Sequence, residues 1–345
     1  MSKTVTIGKR LVGDGQPPYV IAEAAISHQG DFELASRMVY IAHAMGCDAI
    51  KFQMHVLDNE MLRDAPTSDN FAEPLYDTLR KTELTLDQHR ALKRLCESLG
   101  IDYLCTPFSA AAADILDSMD IIAFKTGSGE LTNLPLQQHI ASKGRPMIVS
   151  TGMALVEEIA ETVETLKRMN VLLVLTHCVS AYPCPYNRVN LGNVPRYREM
   201  FDVPVGLSDH SLGIYTAIGA VALGACVLEK HYTLNKLWKG PDHAVSLEPY
   251  ELGELVKGCR AVFEARGAER NIFPEEQPIV AWARESVVSI KDIPKGAVIT
   301  SDMVWVKRPS PVKGAIPAKD LAKAIGRTAQ TNIRKDRQIL WNELA

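Results

Sequence analysis

The chain's strongest constraint is a repeat. Short apolar runs alternate with helical patterns eight times over roughly 250 residues. The runs are residues 19–26 (YVIAEAAI), 49–55 (AIKFQMH), 102–108 (DYLCTPF), 121–128 (IIAFKTGS), 147–152 (MIVSTG), 171–180 (VLLVLTHCVS), 203–210 (VPVGLSDH) and 226–233 (CVLEKHYT). Helix signals lie between them. Asp31 opens a helix that Gly46 ends, Thr85 and Gln88 form a capping box before one closed by Gly100, Ser109 caps another, and Pro135 sits in a first turn. Residues 156–168 are a charged amphipathic helix, a weaker one is expected near 195–200, an apolar one at 214–225 and a final one at 249–266. Such strand–helix–strand units place consecutive strands parallel and side by side. The predicted class is α/β, a (β/α)8 TIM barrel rather than a doubly wound open sheet. Nearly every run ends in polar residues, whereas a dinucleotide-binding sheet concentrates its signal in one glycine-rich turn, and GxGxxG is absent.

The flanks read differently. Residues 4–12 alternate and then turn at Gly13-Asp14-Gly15, giving a hairpin placed to plug the bottom of the fold. The barrel domain is expected over 1–270. Residues 271–285, with Pro274 and Pro278, read as a linker. Residues 286–345 change to short β-like runs (SVVSI, VWVKR) around turns such as Pro294-Lys295-Gly296, a small β-rich domain. At about sixty residues its core is small, so docking on the barrel or on a second subunit is expected.

A formal net charge of −3 over 345 residues gives no bulk electrostatic support for coating nucleic acid. No run is long enough to span a bilayer, and MSKTVTIGKR lacks the apolar core of a signal peptide. The seven cysteines are odd in number and include no CxxC. Cys47, Cys96, Cys105 and Cys226 read as small core residues, and a reducing cytoplasm is the expected setting.

The chemistry is read from the strand ends. His210 and His231 close adjacent strands, so two imidazoles could share one metal ion. Two hydrogen-bonded histidines are the plainer alternative, but matched heights and the Ser-Asp-His sequence favour a ligand pair. Mn²⁺, Mg²⁺, Fe²⁺ and Zn²⁺ all suit two histidines with oxygen ligands. Alternation puts Ser208 with His210, Glu229 with His231, and Lys51 with Gln53 and His55 on shared faces. Lys51 and Lys125 are embedded in apolar strands. Snorkelling stems would explain each alone; together they point to anion binding or a Schiff base. Thr106, Ser128, Ser150 and Ser208 are ordinary turn or cap residues singly, and a cradle for phosphate and carboxylate oxygens when set beside two lysines. Glu23, Glu130 and Asp242 are the candidate acid–base carboxylates, while Tyr182 alone reads as packing.

Together these segments resemble the sialic acid synthase family. The matching pieces are Glu23-Ala24-Ala25-Ile26-Ser27-His28-Gln29-Gly30, Lys51-Phe52-Gln53, Thr106-Pro107-Phe108-Ser109, Lys125-Thr126-Gly127-Ser128-Gly129-Glu130, Ser150-Thr151-Gly152-Met153, His177-Cys178-Val179-Ser180-Ala181-Tyr182-Pro183, Gly206-Leu207-Ser208-Asp209-His210 and Glu229-Lys230-His231. Trp305-Val306-Lys307-Arg308-Pro309 resembles the family's C-terminal antifreeze-like (SAF, β-clip) domain. The resemblance implies metal-dependent condensation of phosphoenolpyruvate with an N-acetylhexosamine, typically N-acetylmannosamine. Lys51, Thr106, Lys125, Ser128, Ser150 and Ser208 would bind phosphoenolpyruvate. His210 and His231 would hold the metal, Mn²⁺ foremost with Mg²⁺ or Co²⁺ as substitutes. Gln53, Asn70, Glu130, Tyr182 and Asp242 would line the sugar site. Glu23 would lie beside the metal, with Glu23 or Asp242 handling the attacking water. Arg308 would reach the sugar's acyl group from the partner subunit of a domain-swapped homodimer. Met54, Ser180 and Arg284 depart from common family residues and bear on the sugar's substituents rather than on the reaction class. Legionaminate and pseudaminate synthases share the core motifs. The readings from other classes are a Schiff-base lyase and a non-catalytic sugar-binding protein.

Overall fold

The computed structural model describes residues 3–64, 73–310 and 312–345. Two compact units result, Met1–Gly267 and Ala268–Ala345.

The first unit opens with an antiparallel hairpin, β1 (Thr4–Ile7) and β2 (Arg10–Gly13). Its turn is at Gly8-Lys9, not at Gly13-Asp14-Gly15. Gly8 takes the left-handed φ of 56° that a tight turn needs. Gly13 ends β2 instead, where a Cβ would stand 2.1 Å from the Lys3 carbonyl oxygen. Val5, Ile7 and Val12 pack with Tyr19, Ile21, Leu104, Ile148 and Val174, so the hairpin closes an apolar lower interior.

Eight parallel strands follow: β3 (Tyr19–Ala25), β4 (Ala49–Met54), β5 (Asp102–Pro107), β6 (Phe124–Thr126), β7 (Met147–Ser150), β8 (Leu173–Cys178), β9 (Val205–Asp209) and β10 (Val227–His231). Their order is β5-β4-β3-β10-β9-β8-β7-β6. The last strand returns to pair with the first, His231 opposite Glu23. That wrap builds a barrel and excludes the doubly wound sheet. At the remaining seam β5 and β6 lie side by side without a hydrogen-bonded ladder between them. β6 is shorter than the sequence suggests. The Ile121 carbonyl accepts from Arg145 Nη1 at 2.7 Å instead of joining a ladder, and Ser128–Glu130 is already a helical turn.

The helices form where the caps specify. Asp31 accepts from the Glu33 and Leu34 amides, the Thr85/Gln88 capping box is made on both sides, and Gly100 closes that helix at φ 77°. Two short helices, Leu57–Glu60 and Leu75–Thr82, lie between β4 and the helix Leu86–Leu99 and carry no strong sequence signal. Among the described residues, no helix is long and apolar enough to cross a membrane. The seven cysteines are buried free thiols.

In the second unit, β11 (Ser286–Ser289) pairs antiparallel with β12 (Val304–Lys307) over a core that includes Val287, Ile299, Ile316, Ile333 and Ile339. The stretch read as a linker, 271–285, is structured. It holds a helical turn at Pro274–Glu276 and a helix at Gln277–Ala283. Both prolines sit in first turns, where they start helices rather than break them.

Candidate active site

Side chains on a barrel's inner face come in layers from alternate strands. Below the mouth of this barrel those layers are polar. Lys51, Lys125, Thr176 and Glu229 come from β4, β6, β8 and β10. Glu23, Thr106, Ser150 and Ser208 come from β3, β5, β7 and β9. They form one network. Lys51 Nζ donates to Thr106 Oγ1 at 2.8 Å and pairs with Glu23 Oε2 at 2.8 Å. Lys125 Nζ donates to Ser150 Oγ at 2.6 Å and to the Thr126 carbonyl at 2.9 Å. Glu229 Oε1 lies 3.9 Å from Lys51 Nζ and 3.7 Å from Lys125 Nζ, and accepts from Ser208 Oγ at 3.1 Å. Ser150 and Thr176 hydroxyls are 2.8 Å apart. Ser128 Oγ accepts from the Gly152 amide.

A cavity of about 730 Å³ opens above this floor, walled by Ile26, Gln53, His55, Phe108, Tyr182 and Asp242 among others. Glu23 is aimed into it by a β-bulge. The β3–β4 register shifts between Glu23 and Ala25, and Ala25 takes a left-handed φ of 45°. Burial pushes the Glu23 carboxyl up to about 7, against the pull of Lys51. Burial likewise raises Asp242 to about 6, with His210 opposing. Burial would lower Lys51, but Glu229 and Glu23 hold it above its ordinary value. For Lys125 burial prevails and the shift is downward.

His210 and His231 meet at the mouth, ring centroids 5.4 Å apart. His210 Nδ1 donates to the Val179 carbonyl at 2.8 Å, which leaves the Nε2 lone pair facing Tyr182 Oη at 3.0 Å. His231 Nδ1 is buried without a hydrogen-bond partner, 3.9 Å from Asp242 Oδ2. Burial drives His231 far below its ordinary pKa, so the ring is the neutral form that coordinates metals. A lone pair fixed by a carbonyl, an orphaned ring nitrogen and a nearby carboxylate fit a divalent ion. Among the described residues no group of three His, Cys, Asp or Glu donors converges on one point. The pair would therefore leave coordination positions open to substrate.

The structure also sorts the remaining candidates. Glu130 is not among the cavity-lining residues. It belongs to the helical turn after β6, and its carboxylate accepts from Asn133 Nδ2 at 2.9 Å. Met54 is buried in the layer between barrel and helices, while Ser180 lines the cavity. Asn70 lies outside the described residues. Arg308 belongs to the second unit, 5.9 Å above the Trp282 ring. Sequence reasoning placed Glu229 on the right face but gave it no task, and passed over Thr176. It also missed Asp209 and Lys230, paired at 2.8 Å on the outer face. Asp209 further accepts from the Ser211 amide and Thr216 Oγ1, which pins the turn after His210.

Known proteins resemble this chain along nearly its whole length. Residues 38–271 match the NeuB family and residues 284–345 the SAF domain. An N,N'-diacetyllegionaminic acid synthase of Legionella pneumophila is 36% identical, covering 96% of each chain. The human N-acetylneuraminate-9-phosphate synthase is 36% identical over 96% of this chain and 94% of its own length. The crystal structure of an N-acetylneuraminic acid synthetase from Leptospira borgpetersenii, in complex with citrate, superposes with a TM-score of 0.72 at 31% identity, covering 81% of this chain and 96% of the other. With both domain matches and two relatives 36% identical over nearly their whole length in agreement, the chain belongs to the sialic acid synthase (NeuB) family and carries the family's C-terminal SAF domain.

Proposed function

We propose that the chain condenses phosphoenolpyruvate with an N-acetylhexosamine, N-acetylmannosamine foremost, giving a nine-carbon 2-keto sugar acid and inorganic phosphate. The floor carries this reading: two ammonium groups within 4 Å of one carboxylate oxygen, ringed by hydroxyls, beneath two imidazoles. A small enol phosphate presents two anionic groups, and Lys51, Lys125, Thr106, Ser128, Ser150 and Ser208 would donate to their oxygens. His210 and His231 would hold a divalent ion, Mn²⁺ foremost with Mg²⁺ or Co²⁺ as substitutes. When bound, it would supply Lewis-acid polarisation of the open-chain sugar aldehyde.

The chain's own groups would do the rest. Lys51 and Lys125 fix the enol phosphate so that its C3 attacks the aldehyde carbon, whose oxygen takes a proton from solvent water, leaving C2 as an oxocarbenium-like cation. Water adds at C2 and gives its proton to Glu23 or Asp242, both raised by burial toward neutrality. The C2 hydroxyl then gives its proton to the departing phosphate as the bond from C2 to the phosphate oxygen breaks, phosphate leaves with that bond's electron pair, and C2 becomes the ketone. Gln53, Tyr182 and Asp242 would surround the sugar, and Arg308 would reach its acyl group from the partner subunit of a swapped homodimer in the cytoplasm.

A diacetamido-trideoxyhexose, as a legionaminate or pseudaminate synthase would take, is the second reading. The apolar wall of Ile26, Met61, Leu75 and Leu79 favours it, since deoxy positions leave no hydroxyl to satisfy there. Both readings take a neutral sugar: among the described lining residues, Lys51 and Lys125 are the only lysines or arginines, and both serve the floor. A lysine Schiff base fits less well. Lys125 Nζ already donates to Thr126 O and Ser150 Oγ, with Glu229 Oε1 3.7 Å away as counter-charge, so its lone pair is not presented to a carbonyl carbon.

The test is phosphate release from phosphoenolpyruvate across a panel of acetamido sugars. Release should require a sugar, stop on chelation and return with Mn²⁺. Sugar-independent release, indifference to chelation, or inactivation by borohydride with pyruvate overturns the proposal.

A further inference from the structure

One buried acid in the cavity has no task in the reaction above. Glu60 ends the helix Leu57–Glu60, lines the cavity, and has a side chain only 3% exposed. Its Oε1 lies 2.8 Å from His55 Nδ1. Its Oε2 is buried and has no hydrogen-bond partner among the described residues. A buried carboxylate oxygen left bare is costly, and its retention calls for a ligand.

The surroundings fix which oxygen is free. Gln53 Nε2 donates to Glu23 Oε1 at 3.4 Å, which turns Gln53 Oε1 toward His55 Nε2 at 3.2 Å. The His55 ring stacks on Phe108, with centroids 4.5 Å apart and planes 12° from parallel. With the Nε2 proton directed at Gln53, one proton remains between Nδ1 and Glu60 Oε1. Oε2 is then the available acceptor.

The cavity wall selects the donor. Ile26, Met61, Leu75 and Leu79 line the same cavity. A hydroxyl would bring lone pairs that this wall cannot satisfy. An amide N–H is a donor only, and an acetyl methyl suits apolar neighbours. We propose that Glu60 binds the amide N–H of an acetamido substituent on the acceptor sugar, with His55 holding the carboxylate in place. The inference rests on the condensation proposed above and adds a residue that selects the substrate.

The test pairs a change in the protein with a change in the ligand. Phosphate-release kinetics are measured for wild type, Glu60→Gln and Glu60→Leu. The substrates are the accepted sugar and analogues with each acetamido group replaced in turn by acetoxy. In wild type, one replacement should raise the sugar KM about tenfold or more, as losing a hydrogen bond to a charged group does. Glu60→Leu should raise the KM of the parent sugar similarly and shrink that amide-to-ester ratio to under about twofold. Glu60→Gln keeps an acceptor oxygen and should fall between. The KM for phosphoenolpyruvate should stay within about twofold throughout, which separates loss of a sugar contact from general damage. An unchanged sugar KM in Glu60→Leu, or the same amide-to-ester ratio in Leu variant and wild type, overturns the proposal. Should Glu60→Leu not fold, indifference of wild type to every acetoxy replacement overturns it alone. If wild type releases phosphate with no sugar, the condensation fails instead, and calorimetric binding of the same sugars carries the Glu60 comparison to the same two outcomes.

Discussion

The two floor lysines share a carboxylate but not a predicament. Lys51 sits against Glu23 at 2.8 Å, and its pKa is held up because the carboxylates outweigh burial. Among the described residues the carboxylate nearest Lys125 is Glu229 at 3.7 Å, and burial prevails. Replacing either by Met removes a charge that phosphoenolpyruvate would need, so each variant should lose about 100-fold or more in kcat/KM for that substrate. Stability should separate them. Lys51→Met strands Glu23 as a buried unpaired carboxylate and should cost about 3–5 kcal/mol by urea unfolding. Lys125→Met leaves Glu229 with Lys51 and Ser208 and should cost clearly less. Equal losses would mean that Glu23 does not depend on Lys51. At this scale the sequence was informative wherever a residue's face follows from counting by two along a strand. Lys51, Lys125, Ser208, His210, Glu229 and His231 all fall under that rule. It could not supply the partners, because Glu229 meets Lys51 and Lys125 across the barrel interior rather than along a ladder. Glu60 was invisible for a different reason: it lies past the end of β4 in a helix of four residues, where no periodicity exists to be read.

Strands β9 and β10 set the spacing of the two histidines, and a glycine sets the spacing of the strands. A Cβ on Gly206 would lie 2.3 Å from the Val227 carbonyl oxygen and 2.7 Å from Val227 Cβ. Both obstacles are part of β10 and cannot rotate away. Gly206→Ala should therefore push the strands apart, destabilise by about 3 kcal/mol or more, and depress metal-dependent phosphate release even where the protein stays folded. A variant with wild-type stability would mean that the strands are not in tight contact there. The same pair explains why the barrel was legible while its edges were not. Parallel strands buried on both faces read as apolar runs with helices between them, and each run here is bounded by a cap, a glycine or a proline. The hairpin turn and the stretch 271–285 were misplaced because glycine and proline were taken for breakers. Gly13 ends a strand that leaves no room for a Cβ, and Pro274 and Pro278 open helical turns. The length of β6 depends on Arg145 claiming the Ile121 carbonyl, a contact between residues 24 apart that no local pattern encodes.

For the molecule as a whole, buried neutral histidines set the acid limit, and two of them lie outside the cavity lining. His28 and His89 are buried, and burial lowers each to about 4. Their hydrogen bonds suit neutral rings: His28 Nδ1 accepts from the Gly30 amide, and His89 Nδ1 lies 2.8 Å from Tyr103 Oη. Above pH 6.5 both the folded and the unfolded chain leave them unprotonated, and they contribute nothing to the pH dependence. As pH falls below 6.5 the unfolded chain binds protons that the folded chain refuses, so stability declines. The decline continues to about pH 4, where the folded rings also protonate and the contribution levels off. At full extent each histidine removes about 3 kcal/mol. Urea midpoints should therefore fall steeply between pH 6.5 and 4.5. His89→Gln keeps a polar partner for Tyr103 without a titrating ring, and should flatten part of that slope while leaving the phosphoenolpyruvate KM untouched. An unaltered slope would assign the acid sensitivity to the other buried rings, His28 and His231, and the barrel would then lose its stability and its histidine pair together.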